Sequence, residues 1–175
     1  MHITIHNKTC LLKRLPNLKL SYDNIHKKVS SDLYFIIPKG IKHIIWFTYF
    51  EDKRVCVIIK IHKGGQKQIS ELSIVPQHFE KKLVLGTIFY STLFTINNNK
   101  YFSIENIHYY KGKNIENNTE FFKLSLIKNI LTTELKLNVL NKNGICMALP
   151  IIETTFDACM TVSNTLPYNT YCIQQ

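Results

Sequence analysis

The sequence lacks the features that mark several protein classes. No apolar run approaches the roughly 20 residues that a membrane-spanning helix needs. The opening MHITIHNKTC has no apolar signal-peptide core. These two absences predict a protein of the cell interior, in the cytoplasm, with no membrane partner. The five cysteines (Cys10, Cys56, Cys146, Cys159 and Cys172) form no C-x-x-C pair, and their number is odd. Four sit within apolar stretches, so reduced thiols packed as small hydrophobes are expected rather than disulfides or zinc ligands. His2 and His6 would share one face of a helix, but HITIH alternates as a strand does, so no metal site is expected. G-x-x-x-x-G-K-[ST], G-x-S-x-G and H-E-x-x-H are all missing. The isolated Gly64-Gly65 reads as a turn. No cofactor is expected.

Acidic residues are scarce. Twelve stand against 22 basic ones, a net charge of +10. That excess favours a polyanionic partner: nucleic acid, a phosphorylated ligand or an acidic protein. Solvated lysines account for such a charge equally well. Isoleucine, asparagine and lysine recur in runs such as INNNK and KNIENN, which suggests an AT-rich coding genome such as that of a large DNA virus or a protist. With 175 residues, 45% of them hydrophobic, the chain suits one domain with a substantial core. No linker, repeat or low-complexity tail divides residues 1–175, and 1–30 form an N-terminal extension of uncertain structure. The chain ends within an expected strand, as a truncated longer protein would.

HITIH reads as a short strand, and NLKLSYDNIHKKV fits either a strand or a short helix. DLYFII, KHIIWFTYF and RVCVIIKI are rich in β-branched and aromatic residues and are separated by the turn-like PKG and EDK, so three consecutive antiparallel strands are expected. KQISELSIV alternates as a half-buried strand should. KLVLGTIFYSTLFTI and KYFSIENIHYYKG flank an asparagine turn, the pattern of a hairpin. From Thr119 onward Phe122, Leu126, Ile130, Leu131 and Leu135 fall at helical spacing, with Thr119 as N-cap. ICMALPII reads as one short buried strand, TTFDACMTVSNTL as a second helix stopped by Pro167, and TYCIQQ as a last strand. The expected fold is α+β: about eight strands in largely antiparallel sheets and two helices in the C-terminal half.

The order of these segments resembles the nucleotidyltransferase superfamily of mRNA capping enzymes and ATP-dependent ligases, over about residues 30–175. IPKG, Ile37 to Gly40, lies where that family has K-x-D-G, and Lys42 follows where a basic residue is common. YFIIPKGIKHIIWFTY is similar to the corresponding stretch of snurportin's cap-binding domain. In GTIFYSTLF, Tyr90, Ser91 and Thr92 stand at the family's Asp-Gly-Glu. In YFSIENIHYYKGKNI, Asn106 stands at an Asp and Tyr110 at an aromatic. FFKLSLIKNIL fits the helix that follows, and LPYNTYCIQ is similar to LPY-x-T-D-G-L-I-F, with Tyr171 and Cys172 replacing Asp-Gly.

The resemblance implies the family fold without its catalysis. Nucleotidyl transfer needs an amine to attack an α-phosphate, and Ile37 supplies none. It also needs carboxylates for a metal ion, whereas those positions hold Lys39, Thr92, Asn106 and Tyr171. Lys39 as a displaced nucleophile is disfavoured by Pro38. A snurportin-like module would bind a capped RNA end or a nucleotide by stacking the base on an aromatic ring and holding the phosphates with lysines. The expected contacts are Ser21 and Tyr22 in LSY, Lys39 and Lys42 for phosphate, and Tyr90 and Tyr110 as further rings. Each has a plainer role: Tyr22 covering a sheet edge, the lysines solvated on a turn, Tyr90 and Tyr110 packed in the core. Trp46 shares a strand face with Ile44 and Thr48 and is expected in the core. A second expectation is a structural or interaction subunit of a viral transcription, translation or virion assembly, with the old cleft filled by side chains. A misaligned active enzyme is the third.

Overall fold

A computed structural model describes residues 4–18, 31–61, 69–75, 77–136 and 146–175. Tight turns organise its centre. Strand β2 (Ile41–Phe50) turns through Glu51 and Asp52, both at positive φ, into β3 (Lys53–Ile61). Strand β6 (Thr87–Ile96) turns through Asn97 and Asn98, at φ 47 and 64, into β7 (Asn99–Tyr110). Two positive φ angles in succession give the twist that antiparallel neighbours require. The asparagine hairpin expected from the sequence is present, with Ile96 facing Asn99.

The main sheet has the order β10-β7-β6-β2-β3-β4, where β4 is Ile69–Val75 and β10 is Cys146–Ala148. A further short strand, β8 (Lys113–Asn114), pairs with β7. Only β10, parallel to β7, departs from antiparallel pairing in this sheet. Both sheet faces are covered, which explains why β2 is apolar at consecutive positions rather than alternate ones. One face carries Ile45, Phe47, Ile58, Phe89 and Ile104. It packs against Ile127 and Ile130 and against Leu83 of the 3₁₀ turn Lys81–Leu85. The other face carries Ile44, Trp46, Val57, Ile59 and Ile88, with Leu11 set upon them. Each large side chain so buried contributes about 1.5–3 kcal/mol. Trp46 is a core residue, as its spacing predicts.

A second sheet, β11-β1-β12, is built from β1 (Tyr34–Pro38), β11 (Ile151–Glu153) and β12 (Thr170–Gln174), all antiparallel. This corrects the expectation of three consecutive paired strands. β2 and β3 pair, but β1 leaves them. Pro38 has no N–H for a ladder, Lys39 N donates to Asn169 O at 2.7 Å, and a Cβ on Gly40 would lie 2.1 Å from Leu93 O. The Pro38–Gly40 link is therefore a crossing between sheets, not a hairpin turn. ICMALPII likewise divides at Pro150 into β10 and β11, one in each sheet. In KLVLGTIFYSTLFTI the first residues form the 3₁₀ turn, and the strand begins after Gly86 at φ 108. Strands number twelve among the described residues. The excess over eight consists of two- and three-residue pieces, including β5 (His78–Phe79) paired with β9 (Leu135–Lys136).

The described part of HITIH, Thr4 to His6, is not a strand. Helix α1 runs Ile5–Arg14, capped by Thr4 Oγ1, which accepts from Asn7 N at 3.2 Å. Leu11, Leu12 and Leu15 pack on the Trp46 face, and Arg14 donates to Tyr49 O at 2.9 Å and Thr48 Oγ1 at 3.1 Å. That tertiary seat overrides a five-residue alternation. Helix α2 (Glu120–Asn129) is capped by Thr119 as expected and continues as a π-helical turn, Ile130–Glu134. Of the expected buried face, Leu126, Ile130, Leu131 and Leu135 belong to the core or pack against it, and Phe122 does not. Phe122 is exposed, while Ile127 and the stem of Lys123 are buried, the Lys123 amine reaching Glu120 at 2.8 Å. Helix α3 (Phe156–Ser163) packs Cys159 against the small sheet and ends at Asn164, ahead of Pro167. All five thiols are free, but only Cys56 and Cys159 are buried, because Cys146 and Cys172 lie on sheet-edge strands. No helix of the described residues is long and apolar enough to cross a membrane.

Candidate functional site

An irregularity in β7 builds the first polar cluster. Between Tyr90 and Ser91 of β6 the partner strand moves from Asn106 to Ile104, so Glu105 is an extra residue. Such a bulge bends the strand and re-aims its side chains. Lys42 faces Thr92 across β2 and β6, and Ile44 faces Tyr90, so these residues share the face that carries Trp46. The Lys42 amine lies 2.6 and 2.8 Å from the two Glu105 carboxylate oxygens and 2.7 Å from Thr92 Oγ1. Thr92 Oγ1 also bonds Glu105 Oε1. The amine stands 5.4 Å from the centroid of the Tyr90 ring. Glu105 is nearly inaccessible, with 2% of its side chain exposed, against 28% for Lys42. Burial, reinforced by Glu105 and Tyr171, pushes the Tyr90 phenol up to about 12, so it stays neutral. Cys172, which pairs with Ile37 across the small sheet, feels both Lys42 and Glu105 and is raised chiefly by burial.

Beside this cluster lies a groove of about 650 Å³. Its walls are the Lys39-Gly40-Ile41 crossing, the outer end of the β6–β7 hairpin at Leu93–Thr95 and Lys100, and the Pro167-Tyr168-Asn169 loop. The Lys39–Asn169 main-chain bond ties the crossing to the loop. Tyr168 and Phe94 meet with ring centroids 4.7 Å apart, and Tyr101 lies 5.8 Å on the far side of Phe94. Burial raises the Tyr168 phenol, which is neutral at physiological pH. Neither Lys39 nor Lys100 has an acidic partner among the described residues. The groove therefore offers two uncompensated cations and an aromatic wall.

The six residues expected to form a binding site do not converge. Ser21 and Tyr22 lie outside the described residues. Lys39 lines the groove. Lys42 is not a turn lysine. It is the second residue of β2, and its amine is engaged by Glu105, so it is not a free phosphate contact. Tyr90 is buried below that pair. Tyr110 is on the opposite face of the sheet, packed against the α2 core, where its hydroxyl donates to Glu134 at 2.6 Å and accepts from Lys111. The Lys111 amine also stands 4.5 Å from the centroid of its ring. The residues not anticipated are Lys100, Phe94, Tyr168 and Glu105. Lys100 was readable in principle, because the Asn97-Asn98 turn sets it opposite Thr95. Glu105 was hidden by the bulge, which puts a carboxylate one residue from Asn106, on a face where none was expected.

Among the described residues no group of three or more His, Cys, Asp or Glu side chains is arranged to hold a metal ion. No protein-family model matches the chain, and no curated protein matches it.

Proposed function

We propose that this chain is a non-catalytic module that binds a nucleotide or the capped 5′ end of an RNA in the Lys39–Lys100 groove. One observation carries the reading: two lysines without acidic partners flank an aromatic wall in a cavity of about 650 Å³, within the size range of small-ligand sites. Two such lysines suit phosphates, and Tyr168 or Phe94 offers a base a ring worth about 1–3 kcal/mol of stacking. The resemblance to nucleotidyltransferases and to snurportin's cap-binding domain supports the same ligand class. It also supports the absence of catalysis, because Ile37, at the position of the nucleophilic lysine, is buried hydrocarbon. Lys42, the nearest amine on the sheet, is held by Glu105 rather than presented to a ligand.

Titration with GTP, ATP, 7-methyl-GTP and a short capped RNA tests this. Binding that weakens about tenfold or more in Lys39→Glu/Lys100→Glu is the expected result, 1.4 kcal/mol being tenfold. No binding by any ligand at millimolar concentration would remove the reading.

A different observation favours an interaction subunit as the second reading. Tyr90 is buried and Glu105 nearly inaccessible beside Lys42, while Phe121, 75% exposed, and Phe122 stand out from α2. On that reading Phe121→Ser/Phe122→Ser abolishes assembly with a partner and leaves nucleotide binding untouched.

A further inference from the structure

β6 runs past the start of its partner β2, and among the described residues the overhang is a bare main-chain edge. The β2 ladder begins at Ile41, opposite Leu93, whereas β6 continues to Ile96. β2 cannot follow, because the chain before it crosses to the small sheet at Lys39-Gly40. Which groups point into the gap follows from the turn. In a two-residue hairpin the flanking pair, here Ile96 and Asn99, exchanges both hydrogen bonds. Ile96 therefore faces β7, and its neighbour Thr95 directs both N–H and C=O the other way. Leu93, two residues back, must share that direction. It does: a Cβ on Gly40 would lie 2.1 Å from the Leu93 carbonyl oxygen, so that carbonyl faces the β2 side. Beyond Leu93 no strand of the described residues waits. Thr95 is exposed, it lines the groove, and no main-chain bond from elsewhere in the described residues reaches it.

We infer that the Thr95 main chain reads the base of the groove's ligand, its N–H donating to a ring or exocyclic acceptor and its C=O accepting from the adjacent ring or exocyclic donor. This rests on the nucleotide reading above and names the recognition element within it. A nucleobase edge presents a donor beside an acceptor, and so does one extended residue seen from its open side. Lys39 and Lys100 belong to the same groove walls and take the phosphates, while Phe94 and Tyr168 supply the ring face. Inorganic polyphosphate would satisfy the lysines alone. The ligand class is therefore a nucleotide with an unblocked Watson–Crick edge.

The test is calorimetric titration of the full chain with inorganic tripolyphosphate, GTP, ATP and their 1-methyl derivatives, in which the edge is blocked. The nucleotides are expected to bind more than about tenfold tighter than tripolyphosphate, through stacking and the base contact together, and 1-methylation should cost them about tenfold, within what one bidentate base contact supplies. Thr95→Pro deletes an N–H that points away from β7, on the open edge of the strand, where proline is tolerated. It should cost the nucleotides the same factor while keeping tripolyphosphate affinity. The wild-type series with methylated bases decides the matter even if that variant misfolds. Tripolyphosphate binding as tightly as GTP and ATP, or 1-methyl nucleotides binding unchanged, would overturn main-chain base reading while leaving a phosphate groove in place. No binding by any probe would overturn both.

Discussion

Glu105 is the most enclosed member of the ion pairs among the described residues. Its carboxylate is almost fully enclosed, and Lys42 is the cation that compensates it. Breaking a buried pair leaves one charge stranded, which costs about 3–5 kcal/mol, whereas replacing both members by hydrocarbon is often neutral. The two halves differ here. Lys42 retains some access to water, so Glu105→Gln should cost about 3 kcal/mol, the lower end of that range. Lys42→Met strands the deeper group and should cost more. Lys42→Met/Glu105→Leu should recover most of the loss. Urea unfolding of the three variants at an unchanged slope checks the ranking. Equal losses in both single variants and the double would mean that the bulge, not the pair, is what the substitutions disturb.

Two histidines give the residue scale a pH dependence. His108 is the extra residue of a second β7 bulge, between Phe89 and Ile88, and lies 3.2 Å from Glu116 Oε1. Its pKa is lowered, first by burial, with Lys123 adding to the shift and Glu116 and Glu120 opposing it. His43, on the β2 strand, is lowered too, again first by burial. In both cases the folded state holds its proton less well than the unfolded chain near pH 6.5. Below that value the unfolded state binds more protons, so stability is full above it and is lost as pH falls toward the folded values. Stability measured from pH 7.5 to 5 should decline. His108→Gln should flatten the decline, and a pH profile identical to wild type would show that His108 takes up its proton without penalty.

At the scale of elements, Gly40 separates the two sheets. An alanine there would drive its Cβ into the Leu93 carbonyl at 2.1 Å and against Thr92 Cγ2 at 2.7 Å. Neither neighbour can swing aside, since the carbonyl is main chain and Thr92 is bonded to Lys42 and Glu105. Gly40→Ala should destabilise by at least about 1–3 kcal/mol, the usual range for overpacking. Because the crossing is also a groove wall, it should weaken nucleotide binding in whatever fraction remains folded. Thermal unfolding paired with titration separates the two effects.

The same crossing shows what the sequence could and could not disclose. The Asn97-Asn98 hairpin, the β2–β3 pair and the Thr119 cap are local: two turn residues or one side-chain oxygen decide them, and they are readable. The departure of β1 is not local. It depends on Cys172, Ile173 and Gln174, some 135 residues downstream, offering a better partner than β2. α1 fails for a related reason, since its helical state is fixed by the Trp46 face rather than by HITIH itself. The candidate site divides the same way. Lys39 was legible because it sits on the crossing. Lys42 was misread because its counter-ion arrives through a bulge that no periodicity predicts. Lys100 is legible as the partner of Thr95 across the hairpin, but only the folded chain brings it and Tyr168 to one groove with Lys39.

For the whole molecule, a charge of +10 raises the question whether any anion bound is held by the groove or by the general field. Salt dependence separates them. A field spread over many lysines attracts phosphate weakly and indiscriminately, and its effect fades once the screening length drops to about 10 Å near 0.1 M salt. Two defined contacts behave differently. Each phosphate neutralised on a single strand contributes a slope of about −0.7 in log K against log salt, so a strand held by Lys39 and Lys100 should show about −1.4. Removing one contact by Lys100→Gln should bring the slope to about −0.7 and lower affinity at every salt concentration. A substitution at Lys53, which lies in the β2–β3 ladder away from the groove lining, changes the net charge by the same amount. It should leave the slope alone. If Lys53→Gln and Lys100→Gln shift the slope equally, the binding belongs to the surface as a whole, and the groove loses its claim to a ligand.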